Sequence, residues 1–125
     1  MLKATEVVVR VLEETIGFIK PGVTAHNAHE FCTRTIADAG LGLTMNHRTA
    51  YSIGISFAPD WGEGQIISIN EGDQRPLQAG MTFPLIPLVY FPGLTSVGVS
   101  ETVLVTESGC EALTANVDRK LFVAD

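Results

Sequence analysis

The longest apolar stretch of the chain, residues 81–91, restricts the fold more than any other feature of the sequence. Glycine and proline flank it, and a nearly continuous apolar run between turn residues predicts a strand that is buried on both faces or bulged. Pro84 and Pro87 lie inside the run, where their backbone nitrogens cannot donate hydrogen bonds to a neighbouring strand. We therefore expect bulges within this strand, or a position at the edge of a sheet.

The segments on either side of this run have the composition of shorter strands. Apolar and β-branched residues predict strands at residues 51–57, 65–69, 97–106 and 111–114. Proline, aspartate and glycine at residues 59–64 predict a loop between the first two of them. About five strands are therefore expected in the second part of the chain.

The first third of the chain carries the periodicity of two amphipathic helices. Within residues 3–19 the helical stripe consists of Val8, Val11, Leu12, Thr15, Ile16 and Ile19. A second stripe follows Thr24, a residue type suited to capping a helix, and consists of Ala28, Phe31, Cys32, Thr35, Ile36 and Ala39. Two helices followed by about five strands predict an α+β domain with the helices packed on one face of the sheet.

Size and charge exclude several classes of protein. A chain of 125 residues is the size of one domain. The chain has 8 Lys and Arg against 14 Asp and Glu, so its net charge is −6, and its sequence contains no basic cluster. This charge argues against nucleic acid and anionic membrane surfaces as partners. No apolar run has the length of a membrane span, so we expect a soluble, cytoplasmic protein. Cys32 and Cys110 lack the spacing of a metal site, and we expect reduced thiols.

Two histidines and a glutamate lie close together near the start of the second helix. The spacing of His26, His29 and Glu30 places them on neighbouring parts of one helix surface, where they could offer ligands to zinc. The spacing is not that of a known zinc motif, and the alternative is a solvated polar face.

A basic pair in a loop is the second candidate site. His47 and Arg48 precede the first predicted strand, and together they could bind a carboxylate through charge-assisted hydrogen bonds. Ordinary loop polarity explains the same residues, and both interpretations stay open at this point.

Glu101 interrupts a strand that is otherwise apolar. By the two-residue alternation of a strand it shares a face with Val97, Val99, Val103 and Val105. A buried carboxylate on an apolar face needs a partner, and such buried carboxylates are typical of functional sites. The alternative is an edge strand whose inner face is open to water.

Several segments, taken in order, resemble the pita-bread family of Xaa-Pro peptidases, creatinases and ectoine hydrolases. They are IKPGVT (residues 19–24), HRTAYSIG (47–54), PDWGE (59–63), LQAGMTF (77–83), SETVLVTE (100–107), Gly109, Glu111, Leu113-Thr114 and RKLFV (119–123). The resemblance extends over nearly the whole chain. It implies a pseudo-symmetric α+β fold with a curved sheet, in which residues 1–125 correspond to the C-terminal half of the catalytic domain.

The same resemblance implies that the metal site of the peptidases is incomplete in this chain. The other half of the family domain carries two aspartate ligands. Tyr51 stands where the peptidases have histidine, Ile86 stands where they have glutamate, and Glu101 falls on a ligand position. Pro84 replaces a histidine that is common in the ectoine hydrolase branch. A single carboxylate cannot hold a catalytic metal, so we expect neither metal nor other cofactor.

Two functional interpretations follow from the resemblance. The first is a non-catalytic, homodimeric remnant that binds a small molecule or a partner protein. The alternative is a metal-independent hydrolase of C–N bonds in small amides, cyclic amidines or Xaa-Pro peptides, with its site completed at a dimer interface. The catalytic candidates are Glu101 and His47, and the substrate-binding candidates are Arg48, Tyr51 and Trp61. We expect these residues to converge in a polar pocket with Phe83 and Ile86 in its walls, and we expect Glu101→Gln to leave the melting temperature nearly unchanged.

Overall fold

The computed structural model describes residues 2–60, 62–91, 93, 95–120 and 122. Two helices form the first part of the described chain. α1 spans Leu2–Phe18 and α2 spans Ala25–Asp38. The Thr24 side chain caps α2 by accepting a hydrogen bond of 3.1 Å from the backbone N–H of Asn27. Gly40, with a φ of 69°, follows the end of α2 in the left-handed conformation that favours glycine. The predictions for both helices and for the cap are confirmed.

The described residues contain seven strands in two antiparallel sheets. The strands are β1 (Ala50–Tyr51), β2 (Ser68–Ile69), β3 (Thr82–Leu85), β4 (Leu88–Phe91), β5 (Thr95–Gly98), β6 (Glu101–Val105) and β7 (Cys110–Ala112). A five-stranded sheet has the order β2-β1-β3-β6-β7, and β4 pairs with β5 in a separate hairpin. Two helices on an antiparallel sheet of five strands confirm the predicted α+β class.

The apolar run at residues 81–91 forms two strands, so the prediction of one bulged strand is wrong. β3 ends at Leu85, which pairs with Glu101 of β6, and β4 starts at Leu88, which pairs with Gly98 of β5. The chain therefore leaves one sheet at residues 86–87 and returns at residues 99–100. These two segments lie opposite each other and form what we call the corner. The predicted strand at residues 97–106 is divided into β5 and β6 by the same corner.

The predicted strands at residues 51–57 and 65–69 are much shorter in the structure. After Tyr51 the backbone turns away, because the Ser52 hydroxyl donates to the carbonyl oxygen of Glu63 at 2.6 Å and the Glu63 N–H donates to the carbonyl oxygen of Ser52 at 2.8 Å. Ile55 and Phe57 then lie in an exposed loop, with exposed fractions of 89% and 85%. The N–H groups of Ser52 and Ile53 still donate to the carbonyl oxygens of Ile67 and Thr82, so regular pairing ends within two residues of Tyr51.

The core lies between the helices and one face of the five-stranded sheet. The helices contribute Leu12, Ala25 and Ala28, Ile19 follows the end of α1, and the strands contribute Ala50, Ile69, Phe83, Leu85, Val103 and Val105. Alternate strand positions point the other way, and Tyr51, Thr82, Pro84, Thr102 and Leu104 are only partly buried there. We call this second surface the open face. Each large apolar side chain buried in the core stabilises the fold by about 1.5–3 kcal/mol.

Neither helix in the described part of the chain is long and apolar enough to cross a membrane.

Candidate binding site

Glu101 points to the helix side of the sheet, as the strand alternation predicts. Its side chain is buried with Val103 and Val105, and only 4% of the residue is exposed. One carboxylate oxygen accepts hydrogen bonds from the backbone N–H and hydroxyl of Thr114, at 3.2 and 2.6 Å. The other accepts from Nε and Nη2 of Arg119, at 3.1 and 2.8 Å. The partner that the buried carboxylate needs is therefore Arg119.

The surroundings of Glu101 favour its ionised form. Burial by itself would raise the pKa of this carboxyl group. The hydrogen bonds from Thr114 and Arg119 outweigh that effect and leave the pKa below its ordinary value. Glu101 thus fastens the segment at residues 114–119 to β6.

The two ring nitrogens of His47 both face backbone carbonyl oxygens. Nδ1 lies 2.6 Å from the carbonyl oxygen of Arg48, and Nε2 lies 3.1 Å from that of Leu88. A neutral imidazole donates one hydrogen bond, and the imidazolium form donates two. A general base must offer a free nitrogen lone pair to the proton that it removes. In this arrangement His47 connects its loop to β4, and to act as a base it would first have to break one of these contacts.

Arg48 and Tyr51 form a stacked pair that lies against two glycines. The guanidinium carbon of Arg48 lies 4.7 Å from the centre of the Tyr51 ring, a cation–π contact. A Cβ atom at Gly64 would lie 2.6 Å from Nη1 of Arg48, and one at Gly62 would lie 3.2 Å from the Tyr51 ring. Gly62 and Gly64 therefore leave the room that the pair occupies. Trp61, the third predicted substrate-binding residue, lies outside the described residues.

A cavity of about 540 Å³ opens beside Arg48 at the corner. It is lined by His47, Arg48, Ile86, Pro87, Leu88, Tyr90, Gly98, Val99 and Ser100. We call it the corner pocket. Its volume lies within the range of about 300–1,000 Å³ that is typical of small-molecule sites. A smaller pocket of about 240 Å³ lies next to it and is lined by Tyr51, Asp60 and Gln65 among others, with Arg48 common to both.

The structure brings together some of the predicted site residues and separates others. His47, Arg48 and Ile86 line the corner pocket, and Tyr51 contacts Arg48. Glu101 lines neither pocket, and Phe83, expected in a wall, is fully buried in the core. Catalytic roles for Glu101 and His47 stay predictions.

Ser100 was missed from the sequence, although a signal was present. It precedes Glu101 directly, so strand alternation places the two side chains on opposite sides of the sheet. Ser100 accordingly lines the corner pocket while Glu101 faces the helices.

The zinc interpretation of His26, His29 and Glu30 is wrong. Nδ1 of His26 accepts a hydrogen bond from the backbone N–H of Gly72 at 3.0 Å, whereas Nδ1 of His29 lies 2.9 Å from the hydroxyl of Thr49. Burial lowers the pKa of His29. Among the residues that the structure describes, no three His, Cys, Asp or Glu side chains lie close enough together to hold a metal ion.

The positions where the resemblance implies metal ligands also lack a metal-binding set of side chains in the described part of the chain. At the positions where the resemblance implies ligands, Tyr51 and Ile86 offer neither imidazole nor carboxylate, and the Glu101 carboxylate is engaged by Thr114 and Arg119. Hard divalent cations take several oxygen or imidazole ligands. The residues described for this chain therefore do not fit the metal ion of a metallopeptidase.

Two helices on one face of a five-stranded antiparallel sheet match the pita-bread fold of the solved relatives described below. The family model of metallopeptidase family M24 matches residues 1–107, and the chain belongs to this family. The predicted family resemblance is thereby confirmed.

Individual relatives agree with this assignment. The chain is 43% identical over 76 residues to the ectoine hydrolase of Halomonas elongata, covering 61% of the chain and 18% of the hydrolase. It is 27% identical over 117 residues to an Xaa-Pro dipeptidase of Pyrococcus horikoshii, covering 94% and 31% of the two chains. The X-Pro aminopeptidase of Thermotoga maritima superposes with a TM-score of 0.81 at 26% identity, covering 96% of this chain and 32% of that structure. The chain thus spans less than a third of each of these relatives.

Proposed function

We propose that this chain is a small-molecule-binding member of family M24 that does not hydrolyse peptides. The observation that carries the proposal is the composition of the corner pocket. Its described lining contains no carboxylate, and its histidine has both ring nitrogens against carbonyl oxygens. A hydrolytic site needs a free base or an activated nucleophile beside the substrate. The pocket instead offers a concave shape and mostly apolar walls, which are the properties of a binding site.

A turnover assay tests this proposal. Purified protein is incubated with an Xaa-Pro dipeptide and, separately, with ectoine, with and without Mn²⁺, and free amine is measured over a day. We expect no release above the blank in any condition. Steady turnover that co-purifies with the protein would refute the proposal.

The second candidate is the metal-independent C–N hydrolase, with Glu101 and His47 in catalytic roles. The similarity to the ectoine hydrolase, at 43% identity, is the observation that favours it. Ectoine turnover without metal, lost in His47→Gln, would support this candidate over the first. Arg34→Gln, which alters an exposed arginine on α2, is the matched control.

We further propose that residues 1–125 act as one domain, equivalent to the C-terminal half of a pita-bread catalytic domain, and that two copies associate in the cytoplasm. Exposed apolar side chains support the association, since Ile55 and Phe57 protrude from one loop with 89% and 85% of their surface exposed. Apolar patches of this kind mark interfaces, and two-fold dimers are the commonest homo-oligomers.

Light scattering after size exclusion tests the association. We expect twice the chain mass of 13.4 kDa for the native protein. The Ile55→Ser, Phe57→Ser double variant should elute as a monomer with an unchanged circular dichroism spectrum. A native protein that stays monomeric at 100 µM would refute the dimer.

A further inference from the structure

We infer that the histidines of the chain form a pH-dependent switch. As the pH falls, the turn at residues 70–73 gives up a hydrogen bond between Gly72 and His26, and the Glu71 carboxylate pairs instead with a charged imidazole of α2. The chain has three histidines, and all three contact this turn or line the pocket next to it. The two ends of the turn stay in place while its tip moves.

The pocket beside the turn brings the histidines within reach of a carboxylate. It has a volume of about 290 Å³ and is lined by His29, His47, Asn70 and Glu71 among others. We call it the histidine pocket. The charges of His26, His47 and Glu71 all act on His29. Charging one imidazole therefore opposes the charging of the next and attracts Glu71.

His26 holds the tip of the turn only in its neutral form. Its Nδ1 accepts a hydrogen bond of 3.0 Å from the backbone N–H of Gly72. An imidazolium carries a proton on both ring nitrogens, so a protonated Nδ1 would face the N–H of Gly72 with a second donor. Protonation of His26 therefore breaks the bond between α2 and the tip of the turn.

His29 makes the surroundings of the turn sensitive to acid. Its Nδ1 lies 2.9 Å from the hydroxyl of Thr49, a fully buried residue. Burial is the main reason why the pKa of His29 lies below its ordinary value, and the charge of Glu71 opposes this effect. The unfolded chain therefore takes up this proton first, and the stability due to neutral His29 is present above about pH 6.5. It is lost as the pH falls from there through the lowered pKa.

His47 responds to protonation in the opposite sense. Its Nδ1 lies 2.6 Å from the carbonyl oxygen of Arg48, and its Nε2 lies 3.1 Å from that of Leu88. An imidazolium donates to both carbonyl oxygens, whereas a neutral ring donates to one. Protonation thus strengthens the attachment of this loop to β4, and the turn is the wall of the histidine pocket that moves.

The turn is fixed at both ends by backbone hydrogen bonds, which do not titrate. On one side the carbonyl oxygen of Ile69 accepts from the N–H of Thr49 at 2.8 Å. On the other side the carbonyl oxygen of Asp73 accepts from the N–H of His26 at 2.7 Å. Gly72 lies between them with a φ of 82°, and glycine changes its backbone conformation at little steric cost. The tip can therefore move while the rest of the segment stays folded.

Glu71 supplies the carboxylate for the acid arrangement. It is exposed, and among the described residues it takes part in no ion pair. Asp73, in the same turn, is bound by Arg75 through a hydrogen bond of 2.9 Å. Glu30, one turn of α2 beyond His26, is exposed and does not line the histidine pocket. A hydrogen bond between an imidazolium and a carboxylate is about twice as strong as a neutral one, so the new pair replaces the lost bond.

Nuclear magnetic resonance of ¹⁵N-labelled protein tests the switch between pH 8 and pH 5, the range in which histidine changes its charge. Ring nitrogen shifts at pH 8 should show His26 with its proton on Nε2. Water exchange of the Gly72 amide, relative to an unfolded peptide at the same pH, reports the hydrogen bond. We expect this protection to fall about tenfold by pH 5, the size of one hydrogen bond. The amide of Val8, buried in α1, should stay protected throughout.

Two variants assign the change to the named groups. His26→Asn places an amide oxygen near the position of Nδ1, so it keeps an acceptor that cannot be protonated, and the protection of Gly72 should no longer depend on pH. Glu71→Gln removes the attraction for the imidazolium, so the midpoint of the Gly72 transition should move to lower pH. Glu107→Gln, which removes an exposed carboxylate before β7, is the matched control and should leave the midpoint unchanged.

Three results would overturn the inference. The first is a protection of Gly72 that stays constant from pH 8 to pH 5 in the native protein, and the second is a transition in His26→Asn equal to that of the native protein. The third is a loss of protection at Val8 together with Gly72, which would show general unfolding. None of these measurements needs a bound ligand, so the switch and the proposed function can fail independently.

Discussion

Replacing Arg119 by methionine should destabilise the protein strongly, although this residue lies near the end of the described chain. Arg119→Met keeps an apolar stem and removes both hydrogen bonds to Oε2 of Glu101. The Glu101 side chain is only 2% exposed, so its charge would stay buried with Thr114 as its remaining partner.

The geometry sets the size of the effect. Removing one partner of a buried ion pair costs about 3–5 kcal/mol. The lower end applies here because the Arg119 side chain is 19% exposed and Thr114 still donates two hydrogen bonds. We therefore expect a loss of about 3 kcal/mol at pH 7, equivalent to a fall in melting temperature of about 10 °C for a domain of this size.

The loss should also depend on pH with a defined sign. The pKa of Glu101 is lower in the folded protein than its ordinary value, so the pair stabilises the native protein at neutral pH. That stabilisation disappears as the pH falls through the lowered pKa. In Arg119→Met the pKa of Glu101 should rise, because burial is no longer offset by the guanidinium. Protonation of Glu101 then removes the buried, unpaired charge of the variant. The difference in free energy of unfolding between the native protein and the variant should therefore become smaller as the pH is lowered.

Urea denaturation followed by circular dichroism, at several pH values between 3 and 7, measures both effects. Lys120→Met is the matched control. It removes the neighbouring cation, whose ion pair with Asp118 is exposed, and should change the stability by less than about 1 kcal/mol. If Arg119→Met had the stability of the native protein at pH 7, the buried ion pair would not exist in solution.

Three further predictions concern the rest of the chain. Thr24→Ala should lower the free energy of unfolding by about 1 kcal/mol, because α2 loses its cap, and no loss in a urea titration would contradict the cap. Phe83→Ala should cost about 3–5 kcal/mol by the same assay, since the ring is fully buried, and a loss below about 1 kcal/mol would contradict its place in the core. Burial raises the pKa of the Cys110 thiol to about 11, so its iodoacetamide labelling should be slow at pH 7.5 and accelerate up to pH 11. Rapid labelling of this cysteine at pH 7.5 would contradict a raised thiol pKa.

The helices could be predicted from the sequence because their determinants are local. The apolar stripe of α2 and its cap at Thr24 lie within a single stretch of chain, and both signals indicate the same start of the helix. The strands were less predictable because their ends depend on distant partners. The break in the run at residues 81–91 exists because Leu85 pairs with Glu101 and Leu88 pairs with Gly98, so the partner strand changes sheets at the same point.

In the candidate site, too, locally determined features could be predicted and features that depend on distant residues could not. Strand alternation placed Glu101 on the face of the valines, and of the two interpretations left open there the structure bears out the buried carboxylate. The loop with His47 and Arg48 does line a pocket. The partner of Glu101, Arg119, lies 18 residues further along the chain in a segment without strand or helix periodicity. Nothing in the local sequence pattern indicates that Arg119, and not Arg48, pairs with Glu101. With that partner known, we now expect Glu101→Gln to lower the melting temperature, contrary to the expectation from sequence.

The metal content of the purified protein tests the central claim most directly. The claim is that this M24 chain carries a binding pocket in place of the metal centre of a peptidase. Protein produced in medium with added manganese or cobalt, desalted and measured by elemental analysis, should contain less than about 0.1 ion per chain, since its described residues lack a metal-binding set. One ion per chain that survives desalting and is lost in Glu101→Ala would contradict the claim.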